Sequence, residues 1–294
     1  MTVIIPDFQL AAATQPGTVA LKVADLNAQT NFYRDIIGLD VYEKGLTRSI
    51  LGAHGSQIPL LILQQIMSPL PLARKTGLYH TAFLLPSRKD LGNALIHYLN
   101  VQAPIIGASD HGYSEAIYLT DPEGNGIEVY RDKPRSAWDI RPDGEIPGIT
   151  IEMDAQGVVD AADRDWQGFP AATKVGHVHL KVADLTATEG FYTDILGLSL
   201  KTNFGNSAKF FASGGYHHHL GTNIWNGRNL PAMDQRDLGL AYYSFFTPND
   251  VELARVRENL EKLGQSFEIL KDQSLALTDP NGIKLRFEIV PKNN

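Results

Sequence analysis

Apolar and polar positions alternate in four short runs along the chain: TVALKV (18–23), HTAFLL (80–85), HVHLKV (177–182) and YYSFFT (242–247). Alternation with β-branched and aromatic content predicts a strand at each. A helix-like stretch follows every run. LNAQTNFYRDIIG (26–38) sets Phe32, Ile36 and Ile37 on one side, and Gly38 suits a C-terminal stop. LTATEGFYTDILG (185–197) repeats that design, while DLGNALIHYLN (90–100) and VELARVRENLEKLG (251–264) supply two more helices. Three further short strands close each unit, so the pattern predicts four βαβββ modules.

The modules are related to one another. Residues 17–26 read GTVALKVADL and 176–185 read GHVHLKVADL; the match runs on through NFYRDIIGL (31–39) and GFYTDILGL (190–198). Internal repeats separate scaffold from chemistry. Here one difference carries weight: Thr18 in the first copy is His177 in the second. GLYHTAFLLPSRKDL (77–91) pairs likewise with GLAYYSFFTPNDVEL (239–253), and YLTDPEGNGIEVYRD (118–132) with ALTDPNGIKLRFEI (276–289). Asp-Pro followed by Gly and Asn predicts a tight turn between two strands. The segment 133–174 is rich in Pro, Asp and Gly and reads as linker rather than core. The expected division is 1–135 (modules 1 and 2), a linker over 136–174, and 175–294 (modules 3 and 4).

Composition narrows the chemistry. A net charge of −7 does not indicate a nucleic-acid-binding stripe. The absence of cysteine excludes disulfides, thiolate metal sites and a cysteine nucleophile. No apolar run reaches membrane-spanning length, so no membrane partner is expected. The opening MTVIIPDFQLAAATQPG lacks a basic leader region, and the default expectation is a soluble cytoplasmic protein. The apolar segment LILQQIMSPLPL (61–72) could serve a pocket or a contact between copies in a homo-oligomer.

Four βαβββ units opened by a strand, a helix and an "FY…D..GL" signature resemble the vicinal-oxygen-chelate superfamily, an α+β fold of curved mixed sheets. The stretches GHVHLKVADL, GYHHHLG, GLYHTAFLLP and DPEGNGIEVYRD resemble its two-domain extradiol dioxygenases of the catechol-2,3-dioxygenase type. The resemblance covers nearly the whole chain outside the linker. In that superfamily, metal ligands come from the start of a module's first strand and from its last strand. Carried over, this rule implies His80 and Glu128 in module 2 and His177 in module 3. Modules 1 and 4 offer only Thr18, Tyr242 and Arg286. The implied triad is complete only if module 2 pairs with module 3. Two histidines and one carboxylate, with the remaining positions open, form the ligand set of non-haem Fe(II) oxygenases, and Mn(II) would satisfy the same donors. His179, two residues from His177, is expected to be a neighbouring rather than a ligating histidine.

The segment GGYHHHLGTNIWNG (214–227) is expected to be the last strand of module 3. A strand would turn His217 and His219 one way and His218 the other. The resemblance implies a histidine pair here, with His218 as acid–base and His219 as its competitor for that register; His217 and His219 are candidates for substrate binding. It also implies a tyrosine ten residues before the glutamate ligand, Tyr118, and a histidine in an Asp-His context, His111, both near the substrate. The implied activity is Fe(II)-dependent ring cleavage of catechol or a substituted catechol by O2. Two alternatives stand beside it: a metal-dependent glyoxalase or isomerase, whose sites usually carry two glutamates, and a non-catalytic protein that binds a small aromatic.

Overall fold

The computed structural model describes residues 3–291. Within them all four modules have the βαβββ order. Their first strands are Gln15–Val23, Gly77–Leu85, Lys174–Lys181 and Gly239–Thr247, and their last strands are Pro59–Gln65, Gly126–Asp132, Leu220–Asn223 and Lys284–Ile289. In each module the first and last strands lie side by side and parallel. A parallel pair needs a crossover, which the intervening helix helps to provide.

Two mixed sheets result, one of nine strands and one of eight. The first strands of modules 2 and 3 pair antiparallel at the centre of the larger sheet, with His179 opposite His80 and His177 opposite Ala82. Modules 1 and 4 join in the same way in the smaller sheet. Each sheet therefore takes one module from each half of the chain, which is the 2–3 pairing that the ligand set requires.

Helix starts follow the sequence closely. Asp25, Ser87, Asp184 and Asn249 each cap a helix by accepting hydrogen bonds from backbone N–H groups two or three residues on. The helices of modules 1 and 3 differ from expectation at their C-terminal ends, where Phe32–Ile37 and Phe191–Ile195 widen into π-helical turns. The inward pair in module 1 is consequently Tyr33 and Ile37, while Phe32 and Ile36 are half-buried. The second residue of each turn is a polar anchor: the Tyr33 hydroxyl donates to Asp121 at 3.1 Å, and Tyr192 does the same to Asp279 at 3.0 Å. These bonds tie module 1 to module 2 and module 3 to module 4, across the two sheets.

The segment 136–174 is more than a tether. It adds the short strand Ile151–Glu152 to the edge of the larger sheet and the helix Ala155–Asp160, and it buries Ile146, Met153, Val158 and Phe169. Its Pro- and Gly-rich composition concealed these isolated apolar anchors. In 61–72, Leu61 and Leu63 enter the core, whereas Met67 and Leu72 are exposed.

Candidate metal centre

Strand alternation sorts the residues of module 2 between two faces. Thr81, Phe83 and Leu85 lie on one face of their strand, and His80, Ala82 and Leu84 on the other. On the last strand, Glu128, Tyr130 and Asp132 share a face with that second set. A small cluster of Ala82, Ala116 and Tyr130, flanked by Leu84 and Tyr118, packs on this side, separate from the main core. The face lines a cavity of about 590 Å³, whose wall includes His80, Glu128, His177, His179, His218 and Tyr118.

Three donor atoms converge in this cavity. His80 Nε2 lies 3.1 Å from His177 Nε2 and 3.1 Å from Glu128 Oε2, and His177 Nε2 lies 3.2 Å from the same carboxylate oxygen. Among the described residues this is the one cluster of three such side chains able to hold an ion, and all three are buried. Hydrogen bonds cannot account for the arrangement. Each neutral imidazole offers at most one Nε2 proton, so at least one of the three edges stays unbridged. His177 Nδ1, the ring's other nitrogen, is also buried without a partner. The spacing matches the edge of an octahedron around a first-row divalent ion with bonds of about 2.1 Å. One carboxylate and two imidazoles on such an edge triangle fit a metal of this kind.

Protonation states agree with that fit. Burial alone would raise the Glu128 carboxyl, but the adjoining His177 and His80 rings reverse the sign and hold it well below the usual range. Burial lowers His177 to about 4 despite the neighbouring carboxylate. At neutral pH the site therefore presents an anionic glutamate and a neutral His177, the forms that bind metal. Burial likewise lowers His179, His217, His218 and His219.

The three consecutive histidines depart from the expected strand. Strand structure begins only at Leu220, because Gly214, at φ +57°, opens a turn after Ser213. Freed from strand alternation, His217 and His218 both reach the cavity wall and meet at 2.8 Å between their Nδ1 atoms. The His218 ring centroid lies 4.2 Å from that of His177. His219 turns away, with its Nδ1 3.1 Å from the Ser213 hydroxyl and its ring stacked on Tyr216. Also lining the cavity, His111 Nε2 and the Tyr118 hydroxyl are 2.6 Å apart. Burial and the charge of Glu128 push the Tyr118 hydroxyl well above its ordinary pKa, so it stays protonated.

Two features of this wall were absent from the sequence reading. Asp132 meets His217 Nε2 at 3.0 Å, and the Ile149 carbonyl, from the connecting segment, accepts from His111 Nδ1 at 2.7 Å. Asp132 stands four residues after Glu128 on one strand, so its shared face was readable from parity. Nothing in the sequence marks a backbone carbonyl. The equivalent positions in modules 1 and 4 make structural contacts instead. Thr18 donates to the Pro59 carbonyl at 2.9 Å, and the Arg286 guanidinium sits 3.7 Å over the Tyr242 ring.

Comparisons with known proteins bear on the family and the fold. The family described as the Glyoxalase/Bleomycin resistance protein/Dioxygenase superfamily matches residues 15–129 and 174–287. A relative from Bacillus subtilis (strain 168), named catechol-2,3-dioxygenase, is 40% identical over 281 residues, spanning 94% of this chain and 98% of the relative. A crystal structure from Bacillus subtilis, provisionally described as a dioxygenase, aligns with a TM-score of 0.64 at 11% identity, over 97% of this chain and 87% of its own. Glyoxalase I from Zea mays aligns at 0.54 with 14% identity, over 94% and 92%. These last two likenesses concern the fold alone. With its four repeated modules and a matching family signature in both halves, the chain belongs to the Glyoxalase/Bleomycin resistance protein/Dioxygenase superfamily.

Proposed function

We propose that the chain is an Fe(II)-dependent extradiol dioxygenase that opens the ring of catechol or a substituted catechol with O2; Mn(II) would suit the same donors. The reading rests on the donor triangle of His80, His177 and Glu128 at 3.1–3.2 Å, set in a cavity with His218 beside it. The name of the 40% identical relative supports it. A single carboxylate in the cluster favours it over a glyoxalase with two glutamate ligands.

In this reading the triad holds the ion with one negative charge and two neutral rings. The bound ion would supply a Lewis-acidic centre with open positions for a diol and O2. Residual positive charge at the site favours a catecholate over a neutral diol. The Tyr118 hydroxyl, its proton directed to His111, is placed to accept a hydrogen bond from a substrate hydroxyl. His218 holds or moves a proton at the reacting ring. His217 has both nitrogens engaged, by Asp132 and His218, and serves the site by position. His219, turned to Ser213, has no part in substrate contact.

The test is anaerobic reconstitution with Fe(II), followed by a panel of catechols under air. A yellow ring-opened product, with one O2 consumed per product and loss on chelation, is expected. Stoichiometric iron without product from any catechol would sink the reading, and turnover of a hemithioacetal without O2 would replace it with a glyoxalase.

A further inference from the structure

The last strand of module 2 places Asp132 on the same face as Glu128 but outside the donor triangle. Its carboxylate begins a chain of hydrogen bonds. Asp132 Oδ1 lies 3.0 Å from His217 Nε2, and His217 Nδ1 lies 2.8 Å from His218 Nδ1. The His218 ring then lines the cavity beside His177, and no hydrogen bond to its Nε2 occurs among the described residues.

The direction of the protons follows from the first acceptor. A carboxylate only accepts, so His217 Nε2 must carry hydrogen. A neutral His217 then has a bare Nδ1, which accepts from Nδ1–H of His218. A neutral His218 with hydrogen on Nδ1 has its lone pair on Nε2, facing the cavity. We propose that Asp132 is a positioning residue that, through His217, fixes the tautomer of His218 so that a bare Nε2 faces the reacting ring.

The surroundings hold this relay rigidly. The His217 ring stacks on Tyr113 at 4.1 Å and 12°, and the Trp138 ring meets it at 5.2 Å. Asp132 and Trp138 both belong to the segment DKPRSAW (132–138). Arg135 of that segment donates to the Gly215 carbonyl at 2.7 Å, tying it to the turn that carries His217 and His218. A motif that looked like the start of a linker thus forms a cradle for the histidine pair. Without the Asp132 acceptor, His217 can carry its proton on either nitrogen, and His218 loses its defined partner.

The tautomer assignment stands on geometry alone; its effect on turnover rests on the dioxygenase reading. The experiment compares wild type, Asp132→Ala and the near-isosteric Asp132→Asn. Ring-nitrogen NMR on metal-free, full-length, 15N-histidine protein reads the tautomers, with His218 assigned through the signals lost in His218→Gln. In wild type His218 should show a protonated Nδ1 and a bare Nε2. In both Asp132 variants that form should lose population. After iron loading, kcat for catechol should fall about 10- to 100-fold at unchanged KM and iron content. An unmoved His218 spectrum in both variants would overturn the proposal. So would an altered spectrum with wild-type kcat, as regards catalysis. If wild type itself cleaves no catechol, the dioxygenase reading fails while the spectra still decide the role of Asp132.

Discussion

Tyr118 donates its hydroxyl proton to His111 Nε2 across 2.6 Å, and the direction is imposed from outside the pair. The Ile149 carbonyl can only accept, so the 2.7 Å contact puts the His111 proton on Nδ1 and leaves Nε2 bare in the neutral ring. The connecting segment between the chain halves thereby orients the phenol that faces the metal cavity.

Tyr118→Phe should therefore keep the fold and the metal but lose a directed hydroxyl. An iron-loaded variant should retain wild-type iron per chain while kcat for catechol drops by about 10- to 100-fold. Wild-type turnover in Tyr118→Phe would remove this residue from the chemistry.

The donor triangle makes a sharper demand. His80→Ala, His177→Ala and Glu128→Ala each delete one of three mutually close donors. Each should weaken metal binding by more than the roughly 10- to 100-fold cost of removing an outer-shell partner. Thr18→Ala and Tyr242→Ala, at the equivalent places in the other sheet, should leave metal content unchanged. Elemental analysis of protein from iron-supplemented cells gives the comparison directly. Full iron in any one of the three triad variants would mean that the ion sits elsewhere.

The contrast between the two sheets explains how much of the molecule was legible beforehand. His177 stood out because the repeat gave Thr18 as its control, and His80 and Glu128 because modules 2 and 4 align. Strand parity fixed their common face. What parity could not supply was the conformation of 214–219. A glycine turn there let His217 and His218 converge on one wall, which a strand forbids. Asp132 was legible in principle, as a carboxylate in phase with Glu128. The Ile149 carbonyl was not, since a backbone acceptor leaves no side-chain signature. The buried Phe169 and Val158 were hidden among polar and glycine residues for a similar reason: a single anchoring side chain has no period.

The Tyr33–Asp121 and Tyr192–Asp279 bonds are scaffold, repeated in both halves of the chain. Asp121 is buried, which raises its carboxyl above the ordinary value, and Asn125 donates to the same oxygen at 2.8 Å. Tyr33→Phe removes one of the donors to that oxygen and should cost about 1–2 kcal/mol of stability. Urea unfolding would show a lower midpoint at unchanged slope, with metal content and kcat like wild type. A loss of activity exceeding the loss of folded protein would place Tyr33 in the site after all.

Acid should destabilise the metal-free protein in a defined window. His177, only 2% exposed, is lowered from 6.5 to about 4 by burial. Below pH 6.5 the unfolded chain therefore binds a proton that the folded chain refuses, and stability falls as pH falls. The contribution is fully present above 6.5 and is lost progressively down to about 4. From His177 alone the loss is about 3 kcal/mol. The buried His179, His217, His218 and His219 shift in the same direction and add to the slope. Glu128, held low by the two rings, gives stability present above its unfolded value near 4.5, and that part disappears at still lower pH. Thermal unfolding of chelator-treated protein should thus be level above pH 7 and decline steeply from 6.5 toward 4, with a shallower decline in His177→Gln. Equal midpoints at pH 5 and pH 7 would mean that these rings are hydrated or paired in the free protein, and that the cavity is not preformed for an ion.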